Sequence, residues 1–308
     1  MKRLLIGYDG SPCADGVIDD LPSAGLPKEL EALVLSVADV WLPTEPTSPP
    51  VEIPPALSNV GRKARQHALE AVEASRRLAA RGAERLRALL PDWKVTSDAV
   101  ADSPAWALIR KAELWHAELV VLGSLGRSTL ERIFLGSVSQ KVAAEAPCSV
   151  RIARRRRSAV DEPQRVLVAV DGSPDSLVTV AAVSARSWAA SQFHLVAVLD
   201  ERLETALGWP GLFAEQWILP RDDEPRQAVE RMLESAARTL GNAGLKSETF
   251  LLRGEPKNQL LAHAKSWDSD VIFLGARGVH HGGRLTLGTT ASAVAARAHC
   301  SVEIVRPG

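Results

Sequence analysis

The stretch Leu119-Val120-Val121-Leu122-Gly123-Ser124-Leu125-Gly126, followed after nine intervening residues by Gly136-Ser137, decides how the chain is read. Four apolar residues make a buried strand, the glycines make a turn, and Val138 to Ala146 continues as a helix. The arrangement recurs. Val271-Ile272-Phe273-Leu274 runs into Gly275-Ala276-Arg277-Gly278, and nine residues further on stands Gly288-Thr289. The spacing G-x2-G-x9-G-[ST] therefore occurs twice, with its glycines displaced by 152 positions. A strand, a glycine loop and a helix start form an anion site. Glycines let backbone N–H groups turn toward a phosphate, and the helix N-terminus adds unpaired donors. One copy is weak evidence; two in the same context are much stronger.

Working outward, each half opens the same way. Arg3 to Tyr8 reads as a buried strand that stops at Asp9-Gly10-Ser11-Pro12, and Val166 to Val170 stops at Asp171-Gly172-Ser173-Pro174. Serine followed by proline is a helix start, with serine as the cap and proline in the first turn. The first such helix is short, about Pro12 to Leu21, because Pro22, Gly25 and Pro27 follow. Its counterpart, Asp175 to Ala190, has no breaker and is expected to be longer. Second strands (Ala32 to Ala38, Phe193 to Leu199), amphipathic helices (Gly61 to Leu90, Pro225 to Leu240) and third strands (Lys94 to Val100, Lys246 to Leu252) follow in both halves. Helices with proline near the first turn, at Pro104 and Pro256, then lead to the glycine loops. Last strands run from Cys148 to Ala153 and from Cys300 to Val305.

Strand and helix alternate five times per half. That order predicts an α/β fold of two tandem, doubly wound, parallel five-stranded sheets with helices on both faces. Ligands in such sheets bind beyond the carboxyl ends of the strands, at the switch point. The DGSP turns and the glycine loops both lie there. The expected domains are 1–154 and 164–308, joined by a charged linker at 155–163. The run Arg154 to Arg157 reads as solvated linker, balanced by Asp161 and Glu162. The irregular stretches Trp41 to Pro55 and Glu201 to Glu224, the latter carrying Trp209, Phe213 and Trp217, read as surface excursions or partner contacts.

The totals set limits. The chain has 308 residues, with 37 Lys plus Arg against 37 Asp plus Glu, so its formal charge is zero and a general nucleic-acid binder is disfavoured. No apolar run is long enough to span a bilayer. Cys13, Cys148 and Cys300 form no CxxC pair and read as reduced thiols of a cytoplasmic protein. No GxxxxGK[ST] lysine and no G-x-S-x-G elbow is present, so fast hydrolysis lacks its usual apparatus. His280 and His281 have no companion ligands at a usual metal spacing.

The DGSP opening, the alternating order, the duplicated glycine spacing and the final Cys-x-Val strands together resemble the universal stress protein family, over almost the whole chain. The resemblance implies two Rossmann-like domains, akin to the adenine nucleotide alpha hydrolase fold, with a stress-response regulatory role and a potential ATP site in each. It places Asp9 and Asp171 near the ribose or a Mg2+ ion, and Val37 and Val198 beside the adenine with Leu122 and Leu274. It gives the phosphates to Gly123, Gly126, Gly136, Ser137 and Val138 in the first half, and to Gly275, Gly278, Gly288, Thr289 and Thr290 in the second. From their chemistry, Arg127, Arg132 and Arg284 could add charge-assisted contacts. It also implies that the halves pair through their last strands, Val150 to Ala153 beside Val302 to Val305, and leaves room for a homodimer. Two other readings stay open: a weak ATPase, and an interaction module with vestigial sites. The halves differ, with Asp102 where the second has Gly254, and with His280-His281-Gly282-Gly283 in the second loop. Those differences favour the first site.

Overall fold

The computed structural model describes residues 2–41, 55–124, 135–154, 162–200, 225–278 and 287–307. Among them ten strands form one sheet: β1 (Arg3–Gly7), β2 (Glu31–Ala38), β3 (Lys94–Ala101), β4 (Leu119–Gly123), β5 (Ser149–Ala153), β6 (Gln164–Ala169), β7 (Ser191–Leu199), β8 (Ser247–Arg253), β9 (Val271–Gly275) and β10 (Ser301–Val305). The α-helices are α1 (Pro12–Asp20), α2 (Pro55–Leu89), α3 (Pro104–Leu114), α4 (Ser137–Glu145), α5 (Pro174–Ser184), α6 (Pro225–Asn242), α7 (Pro256–Ser266) and α8 (Thr289–Arg297). A 3-10 turn, Leu21–Ser23, extends α1.

The strands lie in the order β3-β2-β1-β4-β5-β10-β9-β6-β7-β8. Within each half every pairing is parallel. The chain runs outward from β1 to β3, then returns to β4 on the other side of β1. The second half repeats this at β6 and β9. Each half therefore has one switch point, between β1 and β4 and between β6 and β9. The two five-stranded sheets join as the last strands were expected to pair. β5 and β10 run antiparallel, with Ile152 opposite Val302, Arg151 opposite Glu303 and Val150 opposite Ile304. This buries what would otherwise be two open sheet edges.

Strand alternation then decides what lies on each face of the seam. Val150, Ile152, Val302 and Ile304 point to one face, where a single apolar core runs through both halves from Leu33 and Val120 to Ile272 and Val294. Arg151 and Glu303 point to the other. There the apolar cores are separate, one around Ile6, Ile18 and Leu86 and one around Val168, Leu240 and Phe273. Between them Arg151 Nε donates to Asp20 Oδ2 at 2.6 Å and Arg151 Nη1 to Glu303 Oε2 at 3.1 Å. Arg186 also bonds Glu303, and Ser301 Oγ donates to Asp20 Oδ1 at 2.9 Å.

Two expectations are corrected here. Helix α5 ends at Ser184 rather than continuing to Ala190. The residues after it turn toward the first half. Ser187 N donates to Gly25 O at 3.1 Å, Arg186 Nη1 donates to Ala24 O at 2.8 Å, and the Trp188 ring packs on Gly25, whose φ of +64° and missing side chain make room for it. Long-range contacts override helix propensity. Arg154 is likewise no solvated linker residue; its guanidinium reaches Cys300 O and Ala295 O in the other half.

Candidate functional site

Both switch points begin with an acidic turn. Tyr8 N still donates to Leu35 O at 2.9 Å, extending the parallel ladder, and the chain then leaves the sheet at Asp9. Gly10 and Gly172 have φ of +75° and +81°, a turn that favours glycine. Asp9 Oδ1 accepts from Ser11 N at 3.0 Å, and Ser11 Oγ accepts from Ala14 N at 3.2 Å. The second copy repeats this: Asp171 Oδ1 accepts from Ser173 N at 3.0 Å and from Ser173 Oγ at 2.6 Å, and Ser173 Oγ accepts from Ser176 N at 3.2 Å. DGSP thus starts a helix and, by the same bonds, fixes a carboxylate at the mouth of the crevice.

The glycine-ended strands form the opposite wall. A Cβ on Gly123 would stand 3.2 Å from both Cβ and O of Cys13, and one on Gly275 only 2.8 Å from Asp175 Cβ. The strand end therefore lies directly on the first turn of α1 or α5, which explains the first glycine by close packing. The loop base is closed identically in both halves: Gly136 N donates to Ser124 O, and Gly288 N to Ala276 O, each at 2.8 Å. These glycines cap α4 and α8 without any side-chain acceptor. Among the described residues, the first amides of both helices consequently have neither an intrahelical partner nor a capping side chain, and form a donor cluster suited to an anion. Ser139 Oγ donates to Gly123 O at 2.7 Å and ties α4 to the strand end. In the second half, Asp171 Oδ2 lies 2.9 Å from where a Cβ on Gly278 would stand, so acidic turn and glycine loop do meet.

The remaining expected residues fall around these two walls. Val37 and Val198 are half-buried near the ends of β2 and β7, Leu122 and Leu274 are buried at the ends of β4 and β9, and Val138 packs on the same apolar core. Ser137, Thr289 and Thr290 occupy the first turns of α4 and α8. Gly126, Arg127, Arg132, Arg284, the 280–283 loop, and Trp209, Phe213 and Trp217 lie outside the described residues.

Sequence reading missed one part of the second site. Arg277 donates to the buried carboxylate of Asp175 through its backbone N (3.1 Å), Nε (3.0 Å) and Nη2 (2.9 Å). These bonds hold the Arg277 pKa above its ordinary value. The equivalent first-half positions carry Cys13 and Leu125, so no such clamp is available there. An aspartate in the first helical turn, read against an arginine inside the repeated loop, was the signal available in the sequence. Among the described residues no group of three or more His, Cys, Asp or Glu side chains could hold a metal ion. A cavity of about 140 Å³ lies between α4 and α8, lined by Leu135, Gln140, Leu287, Ser292 and Ala296.

Fold and site define a duplicated, doubly wound α/β protein with a glycine-flanked crevice at each switch point. The model of the universal stress protein family matches residues 1–154 and again 162–306, and the chain belongs to that family as a tandem member. Universal stress protein Rv2623 of Mycobacterium tuberculosis is 28% identical over 275 residues, covering 78% of this chain and 86% of that one. Universal stress protein YxiE of Bacillus subtilis is 29% identical over 145 residues, 46% of this chain and 98% of the relative, as a one-domain match should be. The crystal structure of a universal stress protein from Archaeoglobus fulgidus superposes with a TM-score of 0.67 at 21% identity, over 99% of this chain and 98% of that chain. At that identity the likeness concerns the fold. No helix among the described residues is long and apolar enough to cross a membrane.

Proposed function

We propose that the chain is an ATP-binding regulator of the stress-response type, built from halves 1–154 and 164–308, which holds the nucleotide in the first-half crevice. The observation that supports this is a helix start capped only by glycine beyond the end of β4, with a carboxylate fixed by its own helix cap beyond the end of the neighbouring β1. The residues fit the group. The amides at Ser137 and Val138 suit phosphate oxygens, and Val37, Leu122 and Val138 supply an apolar wall for a base. With no three-ligand metal site among the described residues, a Mg2+ ion would arrive with the phosphates, and Asp9 is the side chain we assign to meet it. Bound ATP supplies charge that draws the donors together; the chain's own groups hold it, and fast turnover is not expected.

The Asp175–Arg277 clamp favours the first half. Rearranging the second loop around a phosphate would disturb the ion pair between Arg277 and the buried Asp175, whereas the equivalent first-half positions, Cys13 and Leu125, cannot form one. Calorimetric titration of the full chain with ATP-Mg2+ tests this. One nucleotide per chain is expected, abolished by Asp9→Ala and retained in Asp171→Ala. Asp175→Ala, which releases Arg277, should bring the count toward two. Two equal sites in the unmodified chain, or no heat at all, would overturn the reading.

A further inference from the structure

The last strands run antiparallel, so the end of each lies beside the beginning of the other. The beginning of each last strand directly follows the helix whose N-terminus faces the crevice. The residue after one half's last strand is therefore delivered to the C-terminus of the other half's crevice helix. Both halves place an arginine there, Arg154 and Arg306, again 152 positions apart.

Their contacts are reciprocal. Arg306 Nη2 donates to Ala143 O at 2.6 Å and Ala144 O at 3.2 Å, both in the last turn of α4, while Nη1 donates to Cys148 O at 3.3 Å. Arg154 Nη2 donates to Ala295 O at 2.6 Å in the last turn of α8, and Nη1 to Cys300 O at 3.2 Å. The backbones are exchanged too: Arg306 N donates to Ser149 Oγ at 3.1 Å, and Arg154 N to Ser301 Oγ at 2.9 Å. The carbonyls in a helix's last turn have no intrahelical donor, and a cation there complements the helix dipole. Burial pushes both guanidinium pKa values down, that of Arg154 to about 10, yet both remain charged at neutral pH.

We propose that Arg306 and Arg154 are positioning residues for the crevice helices of the opposite halves, so that each anion site is held from behind by the other half. Helices α4 and α8 are nine residues each, about 14 Å long, short enough for a charge at one end to steady the whole helix. Resting on the nucleotide reading above, the inference makes the tandem arrangement part of the site and not only a packing convenience. Arg306 also lies within electrostatic reach of Asp175 and Arg277 in its own half, so the test must separate the halves.

The test uses the full chain with Arg306→Gln, Arg306→Lys and Arg154→Gln. Titrated with ATP-Mg2+, Arg306→Gln is expected to bind about three- to tenfold more weakly at the first-half site. Arg306→Lys should recover most of that loss, and Arg154→Gln should leave the first-half site within twofold. Amide hydrogen exchange without nucleotide gives a second readout: Arg306→Gln should speed exchange through α4 as far as Gln140, and Arg154→Gln through α8. Equal weakening by both glutamine variants, or faster exchange confined to the half that carries the changed arginine, overturns the proposal. If the unmodified chain binds no nucleotide, the functional reading fails and the exchange pattern alone decides this one.

Discussion

Replacing Arg151 by methionine should be the most damaging single change at the seam between the halves. Arg151 is fully buried on the ionic face of β5, and its charge and the three around it, on Asp20, Arg186 and Glu303, balance. Burial alone would depress its pKa, but attraction and hydrogen bonds from Asp20 and Glu303 outweigh that and raise it, so the residue is charged at any working pH. Arg151→Met leaves Glu303 still paired with Arg186 and leaves the Asp20 carboxylate buried with the Ser301 hydroxyl. Breaking a buried pair from one side costs about 3–5 kcal/mol. For a chain of this size that lowers the melting temperature by on the order of 10 °C. Asp20→Asn alone should also destabilise, since it leaves two arginines against Glu303. The double variant restores the balance of charge and should cost at least about 2 kcal/mol less than the sum of the two, because the partners share one network. Urea unfolding of the four proteins, followed by circular dichroism, gives the cycle. A cost below about 1 kcal/mol for Arg151→Met, or strict additivity, would refute the reasoning that uncompensated charge is what matters at this seam.

Acid should weaken the second half before the first. His194 Nδ1 and His263 Nε2 lie 3.0 Å apart, with His194 stacked on Trp267 at 3.4 Å; burial, then the proximity of His263, pulls the His194 pKa down to about 4. A histidine held neutral in the fold stabilises fully above its unfolded pKa and loses that contribution as pH falls from about 6.5 to about 4, on the order of 2 kcal/mol. His194→Phe should flatten the loss; a urea midpoint equal at pH 7.5 and 4.5 in the parent chain would contradict it. Burial pushes the Cys148 thiol to about 11 and the Cys300 thiol to about 12, so iodoacetamide at pH 8 should label the half-buried Cys13 far faster than either. ATP-Mg2+ should slow that labelling, as peptide mass spectrometry would register. Gly275→Ala should cost about 1–3 kcal/mol and more than Gly123→Ala, since its Cβ would press on Asp175 and the Ser176 amide at 2.8–3.1 Å where Gly123 meets Cys13 at 3.2–3.3 Å. Thermal melts of the two variants would show the reverse order if strand-end packing is not what these glycines serve.

Much of the site was legible because it is local. DGSP fixes a left-handed glycine, a serine cap and a pinned aspartate within four residues, and the bonds found at Asp9 and Asp171 are the ones such a sequence can make by itself. The uncapped starts of α4 and α8 follow from glycine in the cap position. What was misread depended on residues far apart in the chain. Helix α5 stops early because Arg186, Ser187 and Trp188 dock on a loop more than 160 positions away. The role of Arg277 was missed because its partner Asp175 lies 102 positions earlier in the chain.

By itself the sequence determined the order of strands and helices, the duplication, and the two crevices with their acidic and glycine-rich walls, because hydrophobic period, turn chemistry and capping act over a few residues. Only the tertiary structure decided that the last strands, expected to pair, run antiparallel, so that Arg151 and Glu303, equivalent positions of the repeat, face each other as opposite charges. It also turned Arg154 from an apparent linker residue into a cap of the second half's crevice helix, with Arg306 as its counterpart on the first half's. The physical reason is that a charged residue's role is set by which partner desolvates and neutralises it, and the antiparallel seam brings those partners from the opposite half.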